Sequence, residues 1–196
     1  MAAPRKVKLE KIANIFNGVP DAKLAEKACA AGVITYNFIQ PNQLGIFNDI
    51  HNTSEIKRQT SIDDNYFVRK NDIVLKRLNP DIATLIIEDL SNTVVSSNLF
   101  IIRVSKDYCP AYIACLLENQ GMTWLNSNIV GSVAAIKSIS AKSLAMLDIP
   151  AIDYGKQKAI GEIWLLHKKR KKLLGNLIEE DKRLMAAVIN SITTER

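Results

Sequence analysis

The chain has 196 residues, of which 47% are hydrophobic, and a formal net charge of +6. This composition suffices for a hydrophobic core, and the length fits one ordinary domain with an appendage. The two histidines, and the three cysteines without a Cys-x-x-Cys pair, argue against a structural zinc site.

The positive charge is unevenly distributed along the chain. Residues 154–196 contain ten Lys and Arg against five acids, whereas residues 1–153 contain sixteen against fifteen. A net positive charge permits a polyanionic partner. Because the first 153 residues are close to neutral, composition alone is weak evidence for nucleic-acid binding.

The chain shows no targeting or membrane-spanning segment. Residues 1–10 carry charges without the apolar core of a signal peptide, and no apolar run approaches the length that spans a bilayer. Cys29, Cys109 and Cys115 are therefore interpreted as free thiols in a reducing compartment. We expect a soluble, cytoplasmic protein.

The first sixty residues predict one helix and one strand. Apolar residues between Val7 and Phe16 suggest a short helix, which the turn at residues 17–20 ends. Residues 33–39 are rich in β-branched and aromatic side chains and predict a strand. Residues 40–61 contain many Asn, Thr and Ser and are interpreted as a loop.

The middle of the chain predicts a compact antiparallel or mixed sheet. Turn signals separate four β-rich runs at a spacing of about ten residues, and these runs are residues 66–68, 72–78, 82–88 and 93–104. Such short spacing favours direct strand connections over β-α-β units.

Helices are predicted again after Cys109. Pro110 fits a first helical position, a second short helix is expected over residues 122–125 with Trp124 in the core, and Ser140 can cap a third helix that runs to Met146. Residues 156–194 lack proline and predict one helix of about 60 Å.

The long helix carries one apolar stripe with spacings of three and four residues. Its members are Ile160, Ile163, Leu166, Leu173, Leu177, Leu184, Val188 and Ile192. A helix of this length should pack on something beyond its own domain. We therefore predict an α+β fold with two parts, a globular domain over residues 1–153 and a long helix over residues 154–196.

No catalytic constellation stands out. The chain lacks a glycine-rich phosphate loop, and the sequence Asn79-Pro80-Asp81-Ile82 lacks the second proline and the aromatic residue of the Asn-Pro-Pro-aromatic motif of amino-methyltransferases. The Glu-x-Lys sequence at Glu55 and Lys57 has the form used by metal-dependent nucleases, but we predict it in a polar loop. We expect no enzymatic activity, no metal and no cofactor.

Basic pairs in the middle of the chain are candidates for contacts with phosphates. They are Lys57-Arg58, Arg69-Lys70 and Lys76-Arg77, and they alternate with Asp63, Asp64, Asp72 and Asp81. Paired surface charges are ordinary in soluble proteins, so these residues alone support DNA contact only weakly.

Several segments together resemble the specificity subunits of type I restriction–modification systems. The run from Tyr66 to Arg77 is similar to that family's aromatic–hydrophobic–Lys-x-Asp-Ile-Leu…Arg segment. Further similar segments follow in the same order: Val94–Arg103, Pro110–Leu117, Gly131-Ser132 with Leu147–Pro150, and Gln157 with Ile160. Lys156 and Ala151 depart from the pattern at the junction between domain and helix.

The resemblance implies a non-catalytic, sequence-specific subunit that binds double-stranded DNA. Such subunits confer specificity on methyltransferase (modification) subunits and, through them, on an endonuclease subunit. Members of the family usually carry two recognition domains and two spacer helices, whereas this chain shows one of each. We therefore expect a homodimer on a bipartite, palindromic target, with the long helices forming an antiparallel coiled coil.

The residues expected to serve each role follow from charge, loop position and the apolar stripe. The DNA-binding candidates are Lys57, Arg58, Arg69, Lys76, Arg77, Asn79, Ser132 and Lys137. The candidates for the dimer helix are Ile163, Leu166, Leu173, Leu177, Leu184 and Val188. In the interface between the two antiparallel helices, which we call the seam, the basic residues 168–172 would face the acidic residues 179–181 of the partner.

Two alternative functions stay open from the sequence. One is a non-catalytic scaffold or decoy half-subunit that binds the methyltransferase without productive DNA recognition. The other is a divergent enzyme of the same DNA-modification group, which the missing site for a methyl donor disfavours.

Overall fold

A computed structural model describes residues 5–20, 33–127 and 138–194 as an α+β protein. The strands are β1 Lys6–Lys8, β2 Ala13–Asn17, β3 Ile34–Ile39, β4 Ser54–Arg58, β5 Asp72–Lys76, β6 Ala83–Leu85, β7 Thr93–Val95, β8 Leu99–Val104 and β9 Asp148–Pro150. The α-helices are α1 Pro110–Ser127, α2 Ala141–Ala145 and α3 Tyr154–Thr194. Short 3₁₀ helices occupy Leu9–Lys11, Pro41–Gln43 and Asp64–Tyr66.

The strands form three small sheets. A four-stranded antiparallel sheet has the order β2-β8-β5-β6, and a three-stranded mixed sheet has the order β4-β3-β7. The third sheet pairs β1 with β9, so the start of the domain lies beside the strand that leads into α3. This pairing places the base of the long helix on a fixed part of the domain.

The core is built around β8 and α1. Ile73, Phe100 and Ile102 from the four-stranded sheet are fully buried against Ile113 and Leu117 of α1. Burial of this many aliphatic and aromatic side chains supplies the main stabilisation of the domain.

Within the four-stranded sheet, an ion pair fixes the register of β5 against β8. Arg103 Nε and Nη2 donate to the two carboxylate oxygens of Asp72 at 2.8 and 2.7 Å, and Asp72 is 1% exposed. The same carboxylate accepts a hydrogen bond from the backbone N–H of Arg69. Bidentate geometry and the extra donor compensate the burial of the charge, and the hydrogen bond to Asp72 raises the pKa of Arg103.

The prediction of a helix between Val7 and Phe16 is wrong. This segment forms β1, a 3₁₀ turn and β2, and β2 pairs along its length with β8. The apolar spacing of three and four residues arises because the extended segments alternate with a tight turn. Long-range pairing overrides the local pattern.

Three further boundaries differ from the predictions. Residues 40–61, predicted as a loop, contain β4, which pairs with β3. Residues 66–68, predicted as a strand, form no regular strand: Tyr66 ends a 3₁₀ turn, and Phe67 forms a single bridge with Val94. The run 93–104 divides into β7 and β8, which join different sheets, and the two helices predicted between residues 110 and 125 form the single helix α1.

The remaining elements confirm the sequence-based predictions. The strands at residues 33–39, 72–78 and 82–88 are present as β3, β5 and β6. Ser140 caps α2, because its hydroxyl accepts a hydrogen bond from the N–H of Ser143 at 3.0 Å. The predicted long helix is α3 with 41 residues. The core position predicted for Trp124 falls on a side chain that the structure does not describe.

Candidate nucleic-acid interface and coupling helix

Three of the DNA-binding candidates lie together where β5 ends. Lys76 is the last residue of β5, and Arg77 and Asn79 follow in the turn. Asn79 is exposed and has a φ of 45°, which Asn tolerates better than most residues. Its exposed carboxamide is of the type that reads base edges.

The two cations at this turn differ in availability. Lys76 Nζ lies 3.8 Å from Asp81 Oδ1, a loose contact, and its side chain is 20% exposed. Arg77 Nη1 donates to the carbonyl of Ser97 at 3.1 Å, and its guanidinium lies 5.2 Å from the centre of the Phe100 ring. Arg77 therefore holds the turn before β8, while Lys76 is the better placed of the two for a phosphate.

Arg69 lies at the opposite end of β5 and is not part of the same surface. In the register of β5 with β8, Asp72 pairs with Arg103 and Lys76 pairs with Leu99. The residues that precede and follow β5 therefore lie at opposite ends of these strands. Arg69 donates to Asp64 and is half exposed.

The pair Lys57-Arg58 lies on β4, at the edge of the other sheet. Lys57 is exposed, whereas Arg58 is 4% exposed and donates to Thr60 Oγ1 at 2.8 Å. Because its guanidinium is buried, Arg58 contacts a phosphate only if the segment rearranges. Glu55 also lies on β4, so the prediction that the Glu-x-Lys sequence is in a loop is wrong.

Ser132 and Lys137 lie outside the described residues. Ser138, the first described residue after that gap, forms a bridge with Leu78, and the N–H of Ile139 donates to the carbonyl of Arg77 at 2.9 Å. The chain therefore passes beside the turn that carries Lys76 and Asn79.

A second candidate surface is the face of α3 that contacts the domain. Gln157, Trp164 and Lys168 are each less than 7% exposed, and their spacing places them on one side of the helix together with Gly161. A Cβ at Gly161 would lie 2.7 Å from Ala111 Cβ, so glycine permits the close approach of α3 to α1. Gln157 lies on the same face, in the first turn of α3.

Gln157 satisfies two backbone groups at once. Its Oε1 accepts from the N–H of Cys109 at 3.0 Å, and its Nε2 donates to the carbonyl of Ile152 at 2.9 Å. One buried amide thereby joins the starts of α1 and α3, where unpaired backbone groups would be costly.

Lys168 joins three elements through one buried ammonium. Its Nζ lies 2.5 Å from Glu118 Oε1 on α1 and donates to the carbonyl of Ile46 at 2.6 Å. It also lies 5.4 Å from the centre of the Trp164 ring. The contacts satisfy the charge, as a buried ion requires.

The loop at residues 44–50 also contacts the domain-facing side of α3. Lys172 Nζ lies 3.1 Å from Asp49 Oδ2, and Asn48 exchanges two hydrogen bonds with the backbone of Leu85 on β6. Burial opposes ionisation of Asp49, but the hydrogen bond and charge of Lys172, together with His51, outweigh it and lower the pKa of Asp49.

The opposite face of α3 is apolar and exposed. Leu166, Leu173, Leu177 and Leu184 are between 58% and 65% exposed. At roughly 100° per residue this stripe lies about half a turn from Gln157 and Lys168. From residue 176 to residue 193 every side chain is exposed, so this part of the helix extends beyond the domain.

Comparison with known proteins identifies the fold. No family model and no curated protein matches the sequence. The HsdS subunit from Thermoanaerobacter tengcongensis superposes with a TM-score of 0.59 at 15% identity, over 95% of this chain and 44% of that one. The type I restriction–modification S subunit from M. genitalium gives 0.56 at 14%, over 93% and 46%.

This chain has the S-subunit fold. A chain from a structure of the assembly and conformational transition of the type I R-M system gives a TM-score of 0.64 at 13% identity, over 96% of this chain and 44% of that one. The chain spans less than half the length of these S-subunit structures.

The face of α3 that packs on the domain, here called the docked face, includes part of the basic segment at residues 168–172. Its contacts differ from those that the sequence predicts. The sequence predicts that residues 168–172 face a partner's acidic residues, but Lys168 and Lys172 are bound to Glu118 and Asp49 of their own domain. Because Lys168 and Lys172 are paired within their own domain, they are not available to a seam on the opposite, exposed face of α3.

Sequence reasoning missed the docking residues because it followed one stripe of α3. The second set, Gln157, Gly161, Trp164 and Lys168, has spacings of four, three and four residues, which is also a helical period. A tryptophan and a glycine on one face were the available signal.

Within the described ranges, no group of three metal-ligating side chains forms a metal site. Cys109 and Cys115 are free thiols, and Cys29 lies outside those ranges. None of the helices described is both long and apolar enough to cross a membrane.

Proposed function

We propose that this chain is a sequence-specific DNA-recognition subunit of a type I restriction–modification system. Its globular domain binds double-stranded DNA, and its long helix pairs with a second copy. The homodimer reads a bipartite target and binds methyltransferase subunits, and through them an endonuclease subunit, in the cytoplasm. The chain itself performs no chemistry and needs no cofactor.

The observation that carries this proposal is the division of α3 into two opposite faces on an S-subunit fold. One face is fixed to the domain through Gln157, Trp164 and Lys168. The other presents exposed leucines, and an uncovered apolar surface of this kind marks a site of association. A helix that is rigidly joined to a recognition domain can set the distance between two such domains.

The turn after β5 supports the DNA-binding part of the proposal. Lys76, partly exposed at the end of β5, supplies a cation for phosphate, and Asn79, exposed in the turn that follows, supplies an amide for base edges. Lys57 and Arg69 provide cations elsewhere on the domain, and the assignment of Ser132 and Lys137 rests on the sequence.

Selection of bound duplexes from a random DNA library tests the function directly. We expect the purified chain to enrich one bipartite motif with two inverted half-sites. Recovery of DNA without any motif refutes sequence-specific recognition, and enrichment of a single half-site refutes the bipartite, dimeric mode.

The effect of salt on binding tests the role of Lys76. Lys76→Gln removes one cation from each copy of the homodimer, so we expect weaker binding to all sequences and a slope of log K against log salt that is smaller in magnitude by about two. Lys106→Gln is the matched control, because Lys106 is exposed beyond the opposite end of β8. Equal slopes for Lys76→Gln and the unmodified chain contradict the assignment.

The alternative function is a scaffold or decoy half-subunit, which the burial of Arg58 and the intrachain hydrogen bond of Arg77 favour, because both reduce the number of cations available for phosphates. Such a protein would copurify with methyltransferase subunits and enrich no DNA motif. The duplex selection, repeated with the methyltransferase present, separates the two functions.

A further inference from the structure

The exposed face of α3 has a sequence that is symmetric about the level of residue 175. Heptad positions on this face are occupied, in order, by Leu166, Arg170, Leu173, Leu177, Glu180 and Leu184. Leu173 and Leu177 lie two residues from position 175, Arg170 and Glu180 lie five, and the outer leucines lie nine. Read from Leu184 back to Leu166, these positions have the same spacing as in the forward direction. Glu180 then takes the place of Arg170, and each leucine takes the place of another leucine.

We propose that two copies pair antiparallel with their two-fold axis at the level of residue 175. Arg170 then faces Glu180 of the partner subunit on both sides of the axis, and Leu173 faces the partner's Leu177. Leu166 packs on Leu184 of the partner subunit in the outer layers. This register deepens the homodimer proposed above and rests on it.

The heptad geometry supports this register. In an antiparallel pair, each core layer joins an a position of one helix to a d position of the other. With Ile163, Arg170, Leu177 and Leu184 at a, the d positions are Leu166, Leu173, Glu180 and Ala187. Every layer named above is then an a–d layer, and Ile163 meets Ala187 of the partner subunit.

Other registers leave the two charged residues without a counter-charge. A shift by one heptad in one direction places Arg170 against the partner's Leu173, and a shift in the other direction places it against the partner's Ala187. A parallel pair places Arg170 against the partner's Arg170. Because an unpaired charge in an apolar seam is costly, the charges select the register.

The flanking positions and the intrachain contacts are compatible with the proposal. At one edge His167 faces Asp181 of the partner subunit, and Leu174 faces the partner's Leu174. At the other edge Lys169 faces the partner's Arg183, an unfavourable pair. Arg183 Nη1 already donates to Glu180 Oε1 at 2.8 Å, which reduces that repulsion and leaves the second carboxylate oxygen for the partner's Arg170.

The exposed end of α3 acquires a role in this arrangement. Residues 176–192, which extend beyond their own domain, cover the free face of the partner's docked segment. The docked face, with Lys168 and Trp164, points away from the seam. Each domain is therefore carried on the outer side of the pair, where it is free to bind DNA.

Charge reversal in the full-length chain tests the register. Arg170→Glu alone places two glutamates in contact at both symmetry-related sites, and Glu180→Arg alone places two arginines there. We expect each variant to raise the dimer dissociation constant about 100-fold, or about ten-fold for each of the two contacts. An equimolar mixture of the two variants restores both pairs, and we expect it to form heterodimers with nearly unmodified affinity.

Sedimentation velocity measures the dissociation constants, and native mass spectrometry distinguishes homodimers from heterodimers by mass. The matched controls are Lys171→Glu and Glu179→Arg, which make the same charge changes off the seam. Glu179 pairs with Lys182 as Glu180 pairs with Arg183, so it also controls for loss of an intrahelical contact. Neither control should weaken the dimer, and their mixture should show no preference for heterodimers.

The outcomes separate this inference from the function it rests on. A dimer that survives either charge reversal, or a mixture that fails to form heterodimers, overturns the register but leaves the homodimer. An unmodified chain that stays monomeric at all concentrations overturns both. Circular dichroism of each variant verifies that α3 is retained.

Discussion

Replacing Lys168 by methionine removes the ammonium that joins α3 to α1 and to the loop at residue 46, while it keeps a side chain of similar length. Glu118 then stays in place without its cation. The substitution abolishes the 2.5 Å ion pair with Glu118 and the 2.6 Å hydrogen bond to the carbonyl of Ile46. We expect a large decrease in stability.

The magnitude follows from the burial of both partners. Removing one member of a buried ion pair costs about 3–5 kcal/mol, because the remaining charge is uncompensated. The side chain of Lys168 is 7% exposed and that of Glu118 is 17% exposed. Water reaches the carboxylate in part, so we expect the lower end of the range, about 3 kcal/mol, or a fall in Tm of about 6–12 °C.

Urea denaturation at one fixed protein concentration measures the effect, since association contributes to apparent stability. The double variant Lys168→Met with Glu118→Met removes both charges and should lie within about 1 kcal/mol of the unmodified chain. Lys158→Met is the matched control, because Lys158 forms an exposed contact with Glu162 at 3.9 Å on the same helix. It should cost less than about 0.5 kcal/mol.

The reasoning fails if Lys168→Met costs less than about 1 kcal/mol, or if the double variant is less stable than the single one. Either result would mean that the ion pair does not hold the helix against the domain. The apolar contacts of Trp164 would then be sufficient to hold α3 against the domain.

Two glycines of α3 and one carboxylate of the docking loop give further predictions. Gly161→Ala should destabilise the chain by about 1–3 kcal/mol in urea denaturation, because the new Cβ would lie 2.7 Å from Ala111 Cβ. Gly175→Ala, where the nearest atom is Phe47 Cζ at 3.9 Å, should stabilise it by up to about 1 kcal/mol, and equal effects at the two sites would contradict the packing argument. The lowered pKa of Asp49 stabilises the fold fully above the ordinary value of 3.8, and this contribution disappears as pH falls through the folded-state pKa. Asp49→Asn should therefore remove part of the acid sensitivity measured by denaturation between about pH 5 and pH 2, and an unchanged pH profile would refute the role of the Lys172 contact.

Local sequence signals determined the elements that depend on local chemistry. The absence of proline and the helical period of residues 156–194 predicted α3, and Ser140 predicted the start of α2. These signals suffice because helix periodicity and capping are properties of neighbouring residues. The two-fold symmetric pattern of Arg170 and Glu180 is likewise contained in the sequence.

Strand pairing and the choice of helix face required the tertiary structure. The spacing of apolar residues between Val7 and Phe16 suits a helix, yet the partners β8 and β9 lie far along the chain and make the segment extended. The same holds for Arg58, which its sequence neighbours present as a surface cation and the sheet buries.

For α3, the sequence by itself determined a long helix with one apolar stripe and a basic segment. Only the tertiary structure decided that Lys168 and Lys172 belong to the domain, because Glu118 and Asp49 come from segments about 50 and 120 residues away. Long-range partners of this kind leave no periodic trace in the sequence. Burial of a charge depends on what the fold brings beside it, and this is why the exposed stripe was predictable and the docked face was not.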